Sequence, residues 1–80
     1  MAYRVQYSSA AADSVKKMSE KRRKSFLGEV GRLAENPYVF GVALQGNEDR
    51  REATLAGAAV VFWVSRNVLT MSVITVVHAD

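Results

Sequence analysis

Two arginines and a histidine carry the most legible chemistry in this chain. Arg50 and Arg51 lead into two apolar runs, Ala58 to Val64 and Val68 to Val77, which end on the only histidine, His78. Guanidinium groups hold phosphates and stabilise charge on a reacting oxyanion, and imidazole is suited to proton transfer near neutral pH. A second constellation is denser: Lys16, Lys17, Lys21, Arg22, Arg23 and Lys24 stand against the single acid Glu20 between residues 16 and 24. Such clusters bind phosphate backbones. Each group also has a plain structural use. Arg50 and Arg51 suit an edge strand paired with Glu48, Asp49 or Glu52, His78 suits a solvated chain end, and the basic run suits a solvated helix face. Cations at 21 to 24 nevertheless oppose the dipole of a helix that begins there, so local stability does not account for them.

The elements that must position these groups follow from residue spacing. Both apolar runs are rich in β-branched and aromatic residues and are separated by Ser65-Arg66-Asn67, which predicts an antiparallel hairpin. An Arg66-Asn67 loop places Val64 opposite Leu69, Phe62 opposite Met71 and Val60 opposite Val73, giving one wholly apolar face. The opposite face takes Ala59, Val61, Trp63, Thr70, Ser72, Ile74, Val76 and His78. A chain of 80 residues can cover one such face with its own helices and has little left for the other. The second face is therefore the expected functional surface, with Val61, Trp63, Ile74 and Val76 as a partner-binding patch. Trp63 has two other readings, a base-stacking platform or a shielded sheet residue.

Upstream, Tyr3, Val5 and Tyr7 alternate with Arg4, Gln6 and Ser8 as in a half-buried strand. Ser9 is the expected N-cap of a helix that buries Ala11, Val15 and Met18, and Ser19 with Glu20 starts a second helix. That helix is predicted to bury Phe26, Leu27, Val30, Leu33 and Ala34 and to stop at Asn36-Pro37, because the residue before proline avoids helical geometry. Gly28 and Gly31 fall on its far side. Residues 38 to 49 read as a connection, followed by a short strand from about Arg50 to Thr54 and a turn near Leu55-Ala56-Gly57. The result is one α+β domain over residues 1–80, of βααβββ order, with a helical hairpin packed on a small antiparallel sheet.

Composition removes several classes of function. There is no cysteine, which excludes disulfides, thiolate metal sites and cysteine nucleophiles, and one histidine cannot build a multi-histidine site. No metal or cofactor is called for. Apolar residues at 49% and charged residues at 24% are those of an ordinary globular protein. The start lacks the apolar core of a signal peptide, and the longest apolar stretch, Leu55 to Val64, is too short to span a bilayer. These features predict a soluble, cytoplasmic protein without a membrane partner.

Taken in order, Tyr3-x-Val5-x-Tyr7-Ser8, the basic helical hairpin, Leu33-x-x-Asn36-Pro37, Leu44-x-Gly46, Arg51, Val60-Val61-Phe62 and Val76-Val77-His78 resemble the RelE/ParE toxin superfamily of type II toxin–antitoxin systems. The resemblance covers nearly the whole chain. It implies a βααβββ fold with a concave sheet, a cognate antitoxin partner, and one of two routes to toxicity. RelE-like members are mRNA interferases that cut mRNA in the ribosomal A site, and ParE-like members inhibit DNA gyrase. The first route is an in-line attack of a ribose 2′-hydroxyl on the adjacent phosphate without metal, needing a base, an acid and cations. On this resemblance Arg50 and Arg51 serve as phosphate or transition-state cations and His78 transfers the proton. Lys16, Lys17, Lys21, Arg22, Arg23 and Lys24 hold nucleic acid. Ala59 stands where catalytic members carry arginine, a departure that favours the alternatives: a gyrase inhibitor, or a degenerate member that only binds antitoxin.

Overall fold

The computed structural model describes residues 2–78. Strand β1 (Arg4–Tyr7) leads into helices α1 (Ser9–Lys16) and α2 (Glu20–Glu35), and four strands follow: β2 (Val42–Leu44), β3 (Asn47–Leu55), β4 (Ala58–Ser65) and β5 (Thr70–Val77). They form one sheet in the order β1-β5-β4-β3-β2. The helical hairpin is as expected, but the sheet is mixed rather than purely antiparallel, because β1 runs parallel to β5. Strand β2 was hidden in the stretch read as a connection. Its link to β3 is a tight turn in which Gln45 (φ 52) and Gly46 (φ 76) both take the left-handed conformation. That is the geometry of a two-residue hairpin. Ala56 (φ 49) and Gly57 (φ 80) repeat it between β3 and β4.

Alternation in β4 is strict: Ala58, Val60, Phe62 and Val64 are buried and the residues between them are not. The buried set meets Ala11 and Val15 of α1, Met18 of the link between the helices, and Phe26, Val30, Leu33 and Ala34 of α2 in a single core. Leu27, expected inside, is 46% exposed on the flank of the α2 stripe. Gly28 and Gly31 lie on open helix surface, where an added Cβ would meet nothing within 4 Å.

The β4–β5 register departs from expectation in two steps. The connection is a short 3₁₀ turn, Arg66–Val68, followed by Leu69 at φ 47, so Val64 pairs with Met71 and Phe62 with Val73. A shift of two residues leaves the faces unchanged. The second step does not: Phe62 pairs with Val73 but Val61 with Thr75, which leaves Ile74 as a bulge. A bulge inserts one residue and reverses the alternation beyond it. Val76 therefore pairs with Val60 and is buried in the core at 4% exposure, not presented on the outer face.

Ser8 holds this bulge. Its hydroxyl donates to the Ile74 carbonyl (2.6 Å) and accepts from the Ala11 N–H (3.0 Å), and its own N–H donates to the Val73 carbonyl (2.9 Å). Ser8 rather than Ser9 is thus the N-cap of α1. Replacing Ser8 with alanine removes a cap and a tertiary hydrogen bond, each contributing about 1 kcal/mol. Ser8→Ala is expected to lower stability in urea unfolding by about 2 kcal/mol, while Ser9→Ala, on the exposed first turn, should leave the midpoint nearly unchanged. Equal effects would show that Ser8 does not anchor the bulge.

Candidate functional site: the open face of the sheet

Helices cover one side of the sheet, and strand pairing fixes which side chains share the other. Gln6 pairs with Ser72, Ser72 with Trp63 and Trp63 with Arg50, one row across four strands. Beside it run Val42, Glu52, Val61 and Thr75. Arg4, paired with Thr70, lies on the same side as Gln6, because Val5 and Tyr7 between and beyond them pack on the core. The surface is amphipathic: Trp63 is 44% and Val42 69% exposed, while Arg4, Arg50 and Glu52 supply charge. The Arg50 guanidinium lies 5.0 Å from the Trp63 ring centroid, a cation–π stack.

Strand alternation separates the two arginines that the sequence placed together. Arg51 pairs with Phe62, is only 8% exposed and faces the helical side. Its Nη2 donates to the carbonyls of Tyr38 (3.2 Å), Phe40 (3.4 Å) and Gly41 (3.4 Å), and its Nη1 to that of Glu48 (3.3 Å). Arg51 is thus a staple for the segment between α2 and β2, not a neighbour of Arg50 on the open face. Gly41 belongs to the same arrangement, at φ 76 with the Glu52 carbonyl where a Cβ would stand.

His78 is also displaced from its expected place. Beyond the bulge the alternation carries it to the helical side, where its ring donates from Nε2 to the Ser14 carbonyl at 2.7 Å. A carbonyl can only accept, which fixes the proton on Nε2. The catalytic set read from the sequence is therefore dispersed: Arg50 on the open face, Arg51 under the loop and His78 against α1. Of the expected partner patch, Val61 and Trp63 share the open face, Ile74 is half-buried at the bulge and Val76 is in the core.

The basic run divides by function. Arg23 donates to the carbonyls of Val15 (3.3 Å), Lys16 (3.0 Å) and Met18 (3.1 Å), capping the C-terminal end of α1 from the first turns of α2. Arg22 reaches the Ala56 carbonyl at 2.9 Å and so secures the left-handed turn between β3 and β4. Structure does account for these two cations, contrary to the dipole argument, because they answer carbonyls outside their own helix. Lys16, Lys17, Lys21 and Lys24 remain exposed. Among the described residues no group of three or more potential metal ligands occurs, and no helix is long and apolar enough to cross a membrane.

No protein-family model and no curated protein sequence matches the chain. Solved structures do match. The chain superposes on a chain of the intact RelBE toxin–antitoxin complex of E. coli with a TM-score of 0.82 at 22% identity, covering 99% of each chain. For the RelBE2 toxin–antitoxin complex of Mycobacterium tuberculosis the TM-score is 0.85 at 16% identity, covering 99% of this chain and 100% of the other. For the archaeal RelE–RelB complex of Pyrococcus horikoshii OT3 it is 0.75 at 18% identity, over 95% and 93%. The fold is that of the RelE toxins.

On this RelE fold, one polar cluster escaped the sequence reading altogether. Tyr38 donates its hydroxyl proton to Asp49 Oδ1 (2.6 Å) and accepts from Arg66 Nε (2.8 Å). Arg66 also bonds Glu48 Oε2 at 3.2 Å, and its guanidinium lies 4.5 Å from the Tyr38 ring centroid, with that of Arg51 at 5.6 Å. The cluster ties the loop after α2, the start of β3 and the β4–β5 turn together. These residues lie 11 to 28 positions apart, and nothing in their local spacing signals the association. Burial, and then the bond to Asp49, push the Tyr38 phenol above its usual range, against a smaller opposing effect of Arg66. The exposed Arg66–Glu48 pair itself contributes little.

Two outcomes are expected. Arg51→Ala strips hydrogen bonds from four carbonyls and should lower stability by about 2–4 kcal/mol in urea unfolding, whereas Arg50→Ala should stay within about 0.5 kcal/mol. In a spectrophotometric pH titration, Asp49→Asn should bring the Tyr38 phenol down toward its ordinary range. Because the folded value is raised, the stabilisation linked to Tyr38 is present below its unfolded value near 10 and fades as pH rises through the folded one. An unchanged phenol titration in Asp49→Asn would exclude Asp49 as a cause.

Proposed function

We propose that this chain is the toxin of a type II toxin–antitoxin pair, held by a cognate antitoxin and directed at ribosome-bound mRNA. The observation that carries the proposal is the end-to-end match to chains solved as toxin–antitoxin complexes. The open face supports it physically. An uncovered sheet face with arginines at two points and an exposed aromatic ring suits a single-stranded polyanion, and four further lysines are exposed on the helical side.

Cleavage on this surface would keep only Arg50 of the catalytic groups the sequence nominated. In this reading Arg50, exposed on the open face, neutralises charge on the attacked phosphate. Glu52, two residues along the same strand and on the same face, is a carboxylate able to take the proton of a 2′-hydroxyl, with its Cα roughly 7 Å from that of Arg50. Arg51 and His78 are already committed to backbone carbonyls on the other side. That commitment, with only a methyl group at Ala59, favours a second reading in which the chain binds its antitoxin and a polyanion without cutting RNA.

Primer extension on a translated message after induction separates the readings. Discrete A-site cuts that fall about 10²-fold in Arg50→Ala, and fall also in Glu52→Gln, support the nuclease. Changing Lys16, Lys17, Lys21 and Lys24 together should flatten the salt dependence of ribosome binding without unfolding the protein. Growth arrest with intact mRNA would displace the nuclease reading. A DNA-damage response in that case points to gyrase, and its absence to binding alone.

A further inference from the structure

The row Gln6–Ser72–Trp63–Arg50 has an order that bulk polyanion binding does not require. Across adjacent strands it presents an amide, a small hydroxyl, a flat aromatic ring and a guanidinium, all on the uncovered face. From these positions we infer that the row is a nucleobase-binding site for single-stranded RNA, in which Trp63 stacks the base and Gln6 reads its edge. The inference rests on the proposed RNA-directed function and goes beyond it by assigning base recognition to named residues.

The geometry supports each role. With strands about 4.8 Å apart, Gln6 stands roughly 10 Å from Trp63 across Ser72, and Ser72 is small enough to leave the space between them open to a planar ring. Trp63 retains 44% exposure although Arg50 stacks on it, so the ring offers surface to a second planar group. A guanidinium that stacks on an aromatic ring keeps its in-plane N–H donors free for a phosphate. Arg50 thus serves the nucleotide's backbone while Trp63 serves its base. Arg4 lies beside Gln6 on the same face and supplies a second cation for the strand that continues past it. The Gln6 amide carries a donor and an acceptor side by side, the pattern that matches the N6 and N7 edge of adenine. Adenine is therefore the base the row should prefer. A protein segment could use the exposed Trp63 and Val61, but it would leave the order of amide, hydroxyl and guanidinium unexplained.

Trp63 is the only tryptophan, so its emission reports on this site alone. The full-length chain is titrated with short oligoadenylate, oligouridylate and oligocytidylate, in parallel with the anisotropy of dye-labelled RNA, which does not depend on Trp63. Quenching should saturate along the anisotropy isotherm, with oligoadenylate bound about 10-fold tighter than the pyrimidine oligomers. Gln6→Ala should abolish that preference while leaving quenching in place. Trp63→Ala should weaken binding by about 10-fold. RNA binding seen by anisotropy without quenching, or quenching indifferent to the base, overturns the nucleobase site while leaving RNA binding intact. Quenching by an antitoxin-type protein but not by any RNA assigns the row to a protein partner and overturns it as well. Absence of RNA binding by anisotropy removes the broader functional reading along with the site.

Discussion

The hydroxyl of Ser8 meets two demands that otherwise have no common answer. Helix α1 begins at the point where β1 ends, and its first N–H groups need an acceptor. Strand β5 carries an extra residue at Ile74, and a bulged carbonyl needs a donor. One oxygen satisfies both, accepting from Ala11 and donating to Ile74. Much of the domain depends on that junction. It ties the start of α1 to β5 beside the parallel β1–β5 pair. The bulge it holds also determines the face on which residues 75–78 lie.

The same rule of alternation explains why adjacent residues have opposite fates. Arg50 and Arg51 are chemically identical, yet one lies on an open sheet against Trp63 and the other is buried among the carbonyls of the 38–41 segment. The Arg51 guanidinium is suited to that place because it stays charged and carries several donors in one plane, so a single side chain can hold a loop that makes few backbone bonds of its own. Arg22 and Arg23 use the same property on α2, one gripping a turn and the other a helix end. Three arginines are thus spent on architecture, and lysines make up most of the freely solvated charge on the helical side. The division follows from donor geometry, since a guanidinium spreads five N–H donors over a planar fork while an ammonium carries three on one atom.

Elements that rest on local pattern were legible in the sequence. The β1 alternation, the two helices, the stop at Asn36-Pro37 and the inward face of β4 all follow from periodicity and turn chemistry. Features that depend on one residue more or less, or on distant partners, were not. No pattern distinguishes Ile74 from its neighbours in an apolar run, so the bulge, and with it the true faces of Val76 and His78, became visible only in the paired strands. Strand β2 was concealed because Gly41 and Gly46 break the alternation that would announce it. The Arg23 cap escaped for a related reason: dipole arguments consider a helix by itself, and the carbonyls in question belong to the helix before. On the open face, Trp63 and Arg50 were recognised singly. Their alignment with Ser72 and Gln6 depends on the parallel pairing of β1 with β5, which no local signal reveals.

That parallel pairing also sets a schedule. Among the described elements β1 comes first in the chain and β5 last, yet β5 is the one strand beside β1 in the sheet. Helix α1, with eight residues, is too short to persist by itself; its N-cap Ser8 is held by the Ile74 carbonyl of β5 and its C-terminal end by Arg23 of α2, both later in the chain. During synthesis β1 must therefore wait for the last of these strands before it can pair, a non-local closure of the kind that slows folding. Until β5 is free, the open face is incomplete, because Ser72 of that strand is what joins Gln6 to Trp63.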